Sequence, residues 1–319
     1  MRISVILPTY QAEPYLAELI ERLQAQSLQP HEIIVVDSSS SDRTVEIASS
    51  YDCRVLVIGK SEFDHGGTRN HAAKEASGDV LVYMTQDALP GSREFLEHLI
   101  EPLRDAQVGA VCGRQVARED ANVLEQMTRE INYPNQMIRK TFEELDRYGI
   151  KLFYFTNVCS AFRRETFMKL GGFPDPIILN EDMMISAKCI LSGYTVIYNP
   201  KASVIHSHNY SIKKQFQRNF DIGVSMRMNS WILQYATAER EGRKFAQEQL
   251  SQLWQGGHWR WIPRWFVESA AKYIGYRLGL SYTTLPFGLR QWCSMNPHFW
   301  HHHRDLQPTT VFPGRTPSA

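Results

Sequence analysis

Five short stretches hold the side chains best suited to chemistry. Asp37 ends the apolar run Ile33-Ile34-Val35-Val36. A carboxylate at a strand exit can accept a hydrogen bond from a base N–H of a bound nucleotide, or it can cap an Asx turn. Asp87 follows Val82-Tyr83-Met84-Thr85-Gln86. One carboxylate plus phosphate oxygens suits a hard divalent cation, and a helix N-cap before Pro90 is the other reading. Glu181-Asp182 opens an expected helix after Ile177-Ile178-Leu179-Asn180. Paired acids there complement the helix dipole, or one of them takes a proton from a substrate hydroxyl. His206 and His208 follow a strand and the turn Asn199-Pro200. A histidine on Asp87's side of a sheet would complete a metal site; a structural histidine is the plainer alternative. The strongest local signal is Phe63-Asp64-His65-Gly66-Gly67-Thr68-Arg69-Asn70. Its two glycines let the backbone approach a ligand closely, and Arg69 can bridge to phosphate or ribose. A glycine turn leading into a capped helix is the other reading.

The elements that must position these residues follow from hydrophobic spacing. Residues 3–7, 32–36, 54–58 and 79–84 read as buried strands, and 12–26, 43–50 and 68–76 have helical periodicity. Strands alternating with helices at this pitch predict an α/β fold with a parallel sheet covered on both faces. Such a sheet binds ligands beyond the carboxyl ends of its strands, where Thr9-Tyr10, Asp37-Ser38, 62–70 and Gln86-Asp87 fall. Residues 108–112, 157–162 and 194–198 read as further strands, and 119–147 and 180–192 as helices. After His208 the pattern is helical to residue 280 or so. No GxGxxG follows the first strand and no GxxxxGK[ST] occurs, which argues against a dinucleotide fold and a P-loop.

Charge divides the 319 residues. Residues 1–210 carry 21 Lys and Arg against 28 Asp and Glu, a net of −7; residues 211–319 carry 14 against 6, a net of +8. All seven Trp lie in the second part. Three regions are expected: 1–210, a basic Trp-rich helical region 211–303, and a disordered tail 304–319. Trp254, Trp259, Trp261 and Trp265 interleave with Arg260 and Arg264, which suits the interface of an anionic membrane; a helical core or a homodimer contact is the alternative. No run of about 18 apolar residues is present to span a bilayer. The five Cys show no CxxC spacing, and the first eight residues read as a strand rather than a signal peptide, so a reducing cytoplasm is expected. No nucleic-acid motif occurs, and the acidic first part disfavours such a partner.

Taken in order, the clusters resemble the family 2 glycosyltransferases of GT-A fold over roughly residues 1–210. The matching residues are Val5-Ile6-Leu7-Pro8-Thr9-Tyr10, Ile34-Val35-Val36-Asp37-Ser38-Ser39-Ser40-Ser41-Asp42-Arg43-Thr44, Arg69-Asn70, Gln86-Asp87, Gly171-Gly172-Phe173, Glu181-Asp182 and His206. The stretches 63–70 and 85–90, with Phe220-Asp221-Ile222-Gly223 and 272–276 in the basic region, look like bacterial rhamnosyltransferases that use dTDP-L-rhamnose. The resemblance implies an inverting transfer of L-rhamnose to a saccharide or lipid-pyrophosphate-linked acceptor in surface polysaccharide assembly. With the cysteine pattern and the basic Trp-rich region, a cytoplasmic protein, peripheral on the cytoplasmic face of the inner membrane, is expected. Pro8, Thr9 and Tyr10 would line the nucleobase pocket with Asp37 on the pyrimidine. Asp64, His65, Gly66, Arg69, Asn70, Gln86 and Asp87 would contact the nucleotide sugar. Asp182 would be the base, beside Glu181, and Asp87 and His206 would hold Mg²⁺ or Mn²⁺. The family's DxD metal motif has lost its first acid here, where Thr85-Gln86-Asp87 stands. A transferase of UDP-sugars and a non-catalytic sugar-nucleotide scaffold are the rival readings.

Overall fold

The computed structural model describes residues 1–235, 238–304, 306 and 308–310. The chain begins with strand–helix alternation: β1 (Ile3–Thr9), α1 (Glu13–Gln24), β2 (Glu32–Asp37), α2 (Thr44–Ser50), β3 (Arg54–Val57), α3 (Gly67–Glu75) and β4 (Val80–Met84). These four strands are mutually parallel, in the order β3-β2-β1-β4. Side chains of β1 alternate between two apolar layers. Ile6 enters one with Ile34 and Tyr83, and Val5 and Leu7 enter the other with Val35 and Val82. Both faces of β1, β2 and β4 are therefore dry, which is why these strands are apolar almost throughout rather than alternating, while β3 at the sheet edge is half-exposed.

The second half departs from a parallel sheet. It comprises β5 (Leu89–Pro90), α4 (Phe95–Ile100), β6 (Val108–Val116), α5 (Val123–Asn132), β7 (Ile138–Lys140), α6 (Leu145–Tyr148), β8 (Cys159–Arg163), α7 (Arg164–Lys169), α8 (Glu181–Leu191) and β9 (Thr195–Ile205). β8 inserts antiparallel between β4 and β6, and β9 runs parallel to β6, so the sheet is mixed, β3-β2-β1-β4-β8-β6-β9-β5. The single helix expected over 119–147 is instead α5, the strand β7 against β9, and the short α6. Pro134 interrupts that polar stretch two residues after α5 ends, and a proline has no N–H to continue a helix.

Helices α9 (Ile212–Met228), α10 (Ala238–Gln255), α11 (Ile262–Leu280), α12 (Phe287–Cys293) and α13 (Phe299–His302) complete the chain. α9 and α11 touch backbone to backbone through glycines. A Cβ on Gly223 would lie 2.3 Å from the Tyr276 carbonyl oxygen, and one on Gly279 only 2.1 Å from that of Phe220. Two apolar seams tie these helices to the sheet region: Ile178 with Phe220, Tyr282 and Trp300, and Leu124 and Met127 with Leu253 and Trp265. The Trp residues thus divide. Trp231, Trp265 and Trp300 are core, Trp261 is half-buried, and Trp254, Trp259 and Trp292 are exposed. Most of the tail expected to be disordered, 311–319 with 305 and 307, lies outside the described residues. Leu306 and Thr309 are anchored: Tyr282 donates to the Leu306 carbonyl and the Thr309 N–H donates to that of Met228. Among the described residues, no helix is long and apolar enough to cross a membrane.

Candidate functional site

Strand register brings Asp87 to the histidines. β5 pairs antiparallel with the end of β9, Leu89 opposite Ile205, so the residues flanking that pair, Asp87 and His206, meet. One Asp87 oxygen lies 3.4 Å from His206 Nε2, and the other lies 3.3 Å from His208 Nε2. The three groups offer ligand atoms all within 4.8 Å of one another. His206 Nδ1 is 2.9 Å from Gln115 Oε1, a contact that orients the ring with Nε2 toward Asp87. His208 stacks on Tyr210, ring centroids 5.1 Å apart. Burial acts to raise the Asp87 carboxyl, but the two imidazoles outweigh it and hold the group well below the ordinary range. Burial, then His206, lowers His208 to about 4. A carboxylate with two imidazole nitrogens is a donor set that fits Mn²⁺ and, less well, Mg²⁺, with phosphate oxygens filling the remaining positions.

Beyond the ends of β1 and β4 lies a cleft of about 520 Å³, lined by Pro8, Thr9, Tyr10, Ser38, Lys60, Asp64, His65, Arg69, Gln86 and Asp87 among others. The 63–70 loop forms one wall. Asp64 straps it down: its Oδ1 accepts from the Gly66 and Gly67 N–H groups and its Oδ2 from that of Ile177, each at 2.8 Å. Burial lifts its pKa to about 6. Gly66 is required, because a Cβ there would sit 1.9 Å from the Pro174 carbonyl oxygen. His65 is a neutral ring, lowered to about 4 by burial. Arg69 is buried, 3.4 Å from Glu181, and its Nε has no hydrogen-bond partner among the described residues. Met295, Asn296 and Pro297 roof the cleft from the far end of the chain. Asp221 of α9 holds that roof, accepting from Ser294 Oγ at 2.7 Å and the Met295 N–H at 2.9 Å.

A second lobe of about 550 Å³ shares Arg69, Asp87 and His208 with the first and reaches Glu181 and Asp182 at the start of α8. Asn180, at φ 64°, turns the chain so that both acids face it. The Glu181 carboxylate accepts from Asn157 Nδ2 at 3.0 Å; burial works against its charge, but its surroundings, the Arg69 guanidinium first among them, outweigh that and lower its pKa. Asp182 is half-buried and accepts from the Asn157 N–H at 3.2 Å. Burial, then the charge of Glu181, raises it. Two adjacent acids are thus pushed apart, one firmly ionised and one basic enough to take a proton.

Three of the expected site residues, Asp37, Gly66 and Asn70, lie outside the lining of either lobe. Asp37 is fully buried and outside the cleft wall; Thr9 Oγ1, the Ser40 N–H and Ser40 Oγ all donate to it, so it makes the Asx-type turn. Its neighbour Ser38 lines the cleft with a buried Oγ that has no partner among the described residues. Asn70 clamps Phe173, donating to its carbonyl and accepting from its N–H. Gln86 lines the cleft, but its amide is occupied by both backbone groups of Tyr10 rather than turned to the metal-ligand cluster. Conversely, His208, a candidate by its residue type alone, joins Asp87 and His206, where the resemblance implied only those two as ligands. Its spacing of two from His206 was the available signal.

The model for "Glycosyl transferase family 2" matches residues 4–171. The O-antigen chain rhamnosyltransferase WbaN of Salmonella anatum is 40% identical over 300 residues, covering 93% of this chain and 95% of that protein. RfbN of Salmonella typhimurium, also an O-antigen chain rhamnosyltransferase, is 37% identical over 94% of this chain and 96% of its own. Among solved structures, a mannosyltransferase from Pyrobaculum calidifontis in complex with GDP-Man and Mn²⁺ superposes with TM-score 0.55 at 21% identity, covering 93% of this chain and 84% of that one. Staphylococcus aureus TarS 1-349 in complex with UDP superposes with TM-score 0.53 at 18% identity, over 89% and 91%. At these identities the structures speak for the fold.

Proposed function

The chain belongs to glycosyl transferase family 2, and from that premise we propose that it transfers L-rhamnose from dTDP-L-rhamnose, with inversion, to a hydroxyl of a saccharide acceptor. The observation that carries the reading is a donor-sized cleft bearing Asp87 and His208 that adjoins a second lobe bearing His206 and a raised carboxyl, Asp182. Thr9, Tyr10 and Ser38 take the nucleoside end. Tyr10 is steadied by Lys60, whose Nζ donates to its hydroxyl at 2.6 Å and lies 4.6 Å from its ring centroid. Arg69, with an unpartnered buried Nε on the wall of both lobes, faces the diphosphate.

Asp182 takes the proton of the acceptor hydroxyl. The oxygen then attacks the anomeric carbon from the side opposite the nucleotide, and dTDP departs. Glu181 keeps its own charge against Arg69 and so makes Asp182 the more basic of the two. Asp87, His206 and His208 would hold Mn²⁺ or Mg²⁺, which supplies Lewis-acid stabilisation of the charge growing on the leaving diphosphate. Single displacement on a β-linked donor gives the α-L-rhamnoside. In the absence of acceptor, slow hydrolysis of dTDP-L-rhamnose releases α-L-rhamnose first. Proton NMR of the fresh product tests this, and β-L-rhamnose as the first anomer contradicts a single displacement.

The acceptor is a saccharide on a lipid pyrophosphate, met by a protein peripheral on the cytoplasmic face of the membrane. Trp254, Trp259, Phe266, Val267, Tyr273 and Ile274 are all exposed, on a region of net charge +8. Such a face matches an anionic lipid surface. Flotation of the full chain with phosphatidylglycerol vesicles, lost at high salt, is expected. Failure to float, with a dimer in solution, gives this face to a second copy of the chain.

A further inference from the structure

A third cavity, of about 800 Å³, opens between α9, α10 and α11, and the reaction above makes no use of it. Its volume lies in the range of small-molecule sites, about 300–1,000 Å³. Asn219, Ile222, Phe245 and Lys272 belong both to its wall and to the wall of the lobe that holds Asp182, so the two spaces adjoin. Its chemistry differs from that of both lobes of the catalytic cleft. Arg243, Lys272 and Arg277 line it, and among the described residues no carboxylate does. Burial holds the Lys272 ammonium below its ordinary value. A cation stripped of part of its water gains most from an anion that replaces that water. Lys272 is half-buried, with Glu268 and Glu125 acting on its charge, and Arg243 is exposed beside it; positive charge at such a wall raises the local concentration of anions, whereas a neutral saccharide has no use for it.

We infer that this cavity binds a phosphate or diphosphate group carried by the acceptor and thereby delivers the acceptor's sugar hydroxyl to Asp182. The inference rests on the glycosyl-transfer reading and assigns residues to the acceptor side of it. A lipid-linked diphosphate and a soluble phosphorylated sugar share this chemistry, and the test separates them.

The full chain, with excess dTDP filling the donor cleft and EDTA present, is titrated calorimetrically with farnesyl diphosphate, inorganic pyrophosphate and farnesol. Farnesyl diphosphate is expected to bind and farnesol not to. The double variant Arg243→Ala/Lys272→Ala weakens the diphosphate probe at least fivefold, and Arg243→Lys stays within fivefold of the parent. Tighter binding of farnesyl diphosphate than of pyrophosphate assigns a lipid source; equal binding assigns a soluble one. A melting curve checks that the double variant is folded. The inference is overturned if neither diphosphate binds the parent chain, if farnesol binds as well as its diphosphate, or if the folded double variant loses less than fivefold. Hydrolysis of dTDP-L-rhamnose by the parent chain is followed in parallel. Its absence would fail the glycosyl-transfer reading itself, while its presence beside unaltered probe binding fails only the acceptor site.

Discussion

Asp182→Asn removes the proton acceptor and one of the two backbone hydrogen bonds that the carboxylate receives. The amide has the same shape, and its carbonyl oxygen can still receive the Met183 N–H, now at 2.8 Å, or that of Asn157. A positioned general base contributes about 10²–10⁴-fold, so the variant should lose that much turnover, about 2.7–5.4 kcal/mol of barrier. Stability should move the other way. Burial and the Glu181 charge both disfavour the Asp182 carboxylate, so a neutral amide relieves a like-charge contact and the melting temperature holds or rises. Donor affinity should stay within about twofold, the scatter expected of a site that keeps its contacts. The assay is rhamnosyl transfer from dTDP-L-rhamnose to a membrane-extracted acceptor, with donor titration and thermal melting on the same preparation. Turnover within tenfold of the parent would refute the assignment of the base. A collapse of both turnover and melting temperature would instead make Asp182 a structural residue.

Three further outcomes follow from the same geometry. Because Asp182 must be ionised to act and its pKa is raised, turnover should fall on acidification well above the ordinary aspartate value of about 4; a pH profile with its acid limb at that ordinary value contradicts the raised carboxyl. Gln115→Leu removes the group facing His206 Nδ1 and should raise the Mn²⁺ concentration for half-activation by about 10–100-fold; an unchanged activation curve separates Gln115 from the cation site. Gly279→Ala forces a Cβ against the Phe220 carbonyl and should cost about 1–3 kcal/mol, read as a lower melting temperature; an unchanged melt denies the close α9–α11 contact.

The strand–helix alternation of the first 84 residues was legible because β1, β2 and β4 are apolar on both faces and their helices are short and periodic. The region after it was less so. β8 pairs antiparallel with β4 across a long intervening stretch, and nothing local in 157–162 encodes a partner that distant. The chemistry of single residues was legible by type but not by direction. Asp37, Asn70 and Gln86 each looked ligand-facing, and each is held by the backbone or a hydroxyl of a neighbour: Ser40 and Thr9, Phe173, and Tyr10. Two of those neighbours are more than 70 residues away. The meeting of Asp87 with His208 depends on the register of β5 on β9, a two-residue strand that spacing does not announce. The roof at Met295–Pro297 comes from the far end of the chain and rests on the buried carboxylate of Asp221.

Donor identity is the central claim. Purified protein with Mn²⁺ is titrated with dTDP-L-rhamnose, UDP-GlcNAc, UDP-galactose and UDP-glucose, and release of free nucleotide diphosphate is followed for each, with an EDTA control. Binding and slow metal-dependent hydrolysis of dTDP-L-rhamnose, with the UDP-sugars at least tenfold weaker, is the expected result. Preference for a UDP-sugar would leave the fold and the base in place but contradict rhamnosyl transfer.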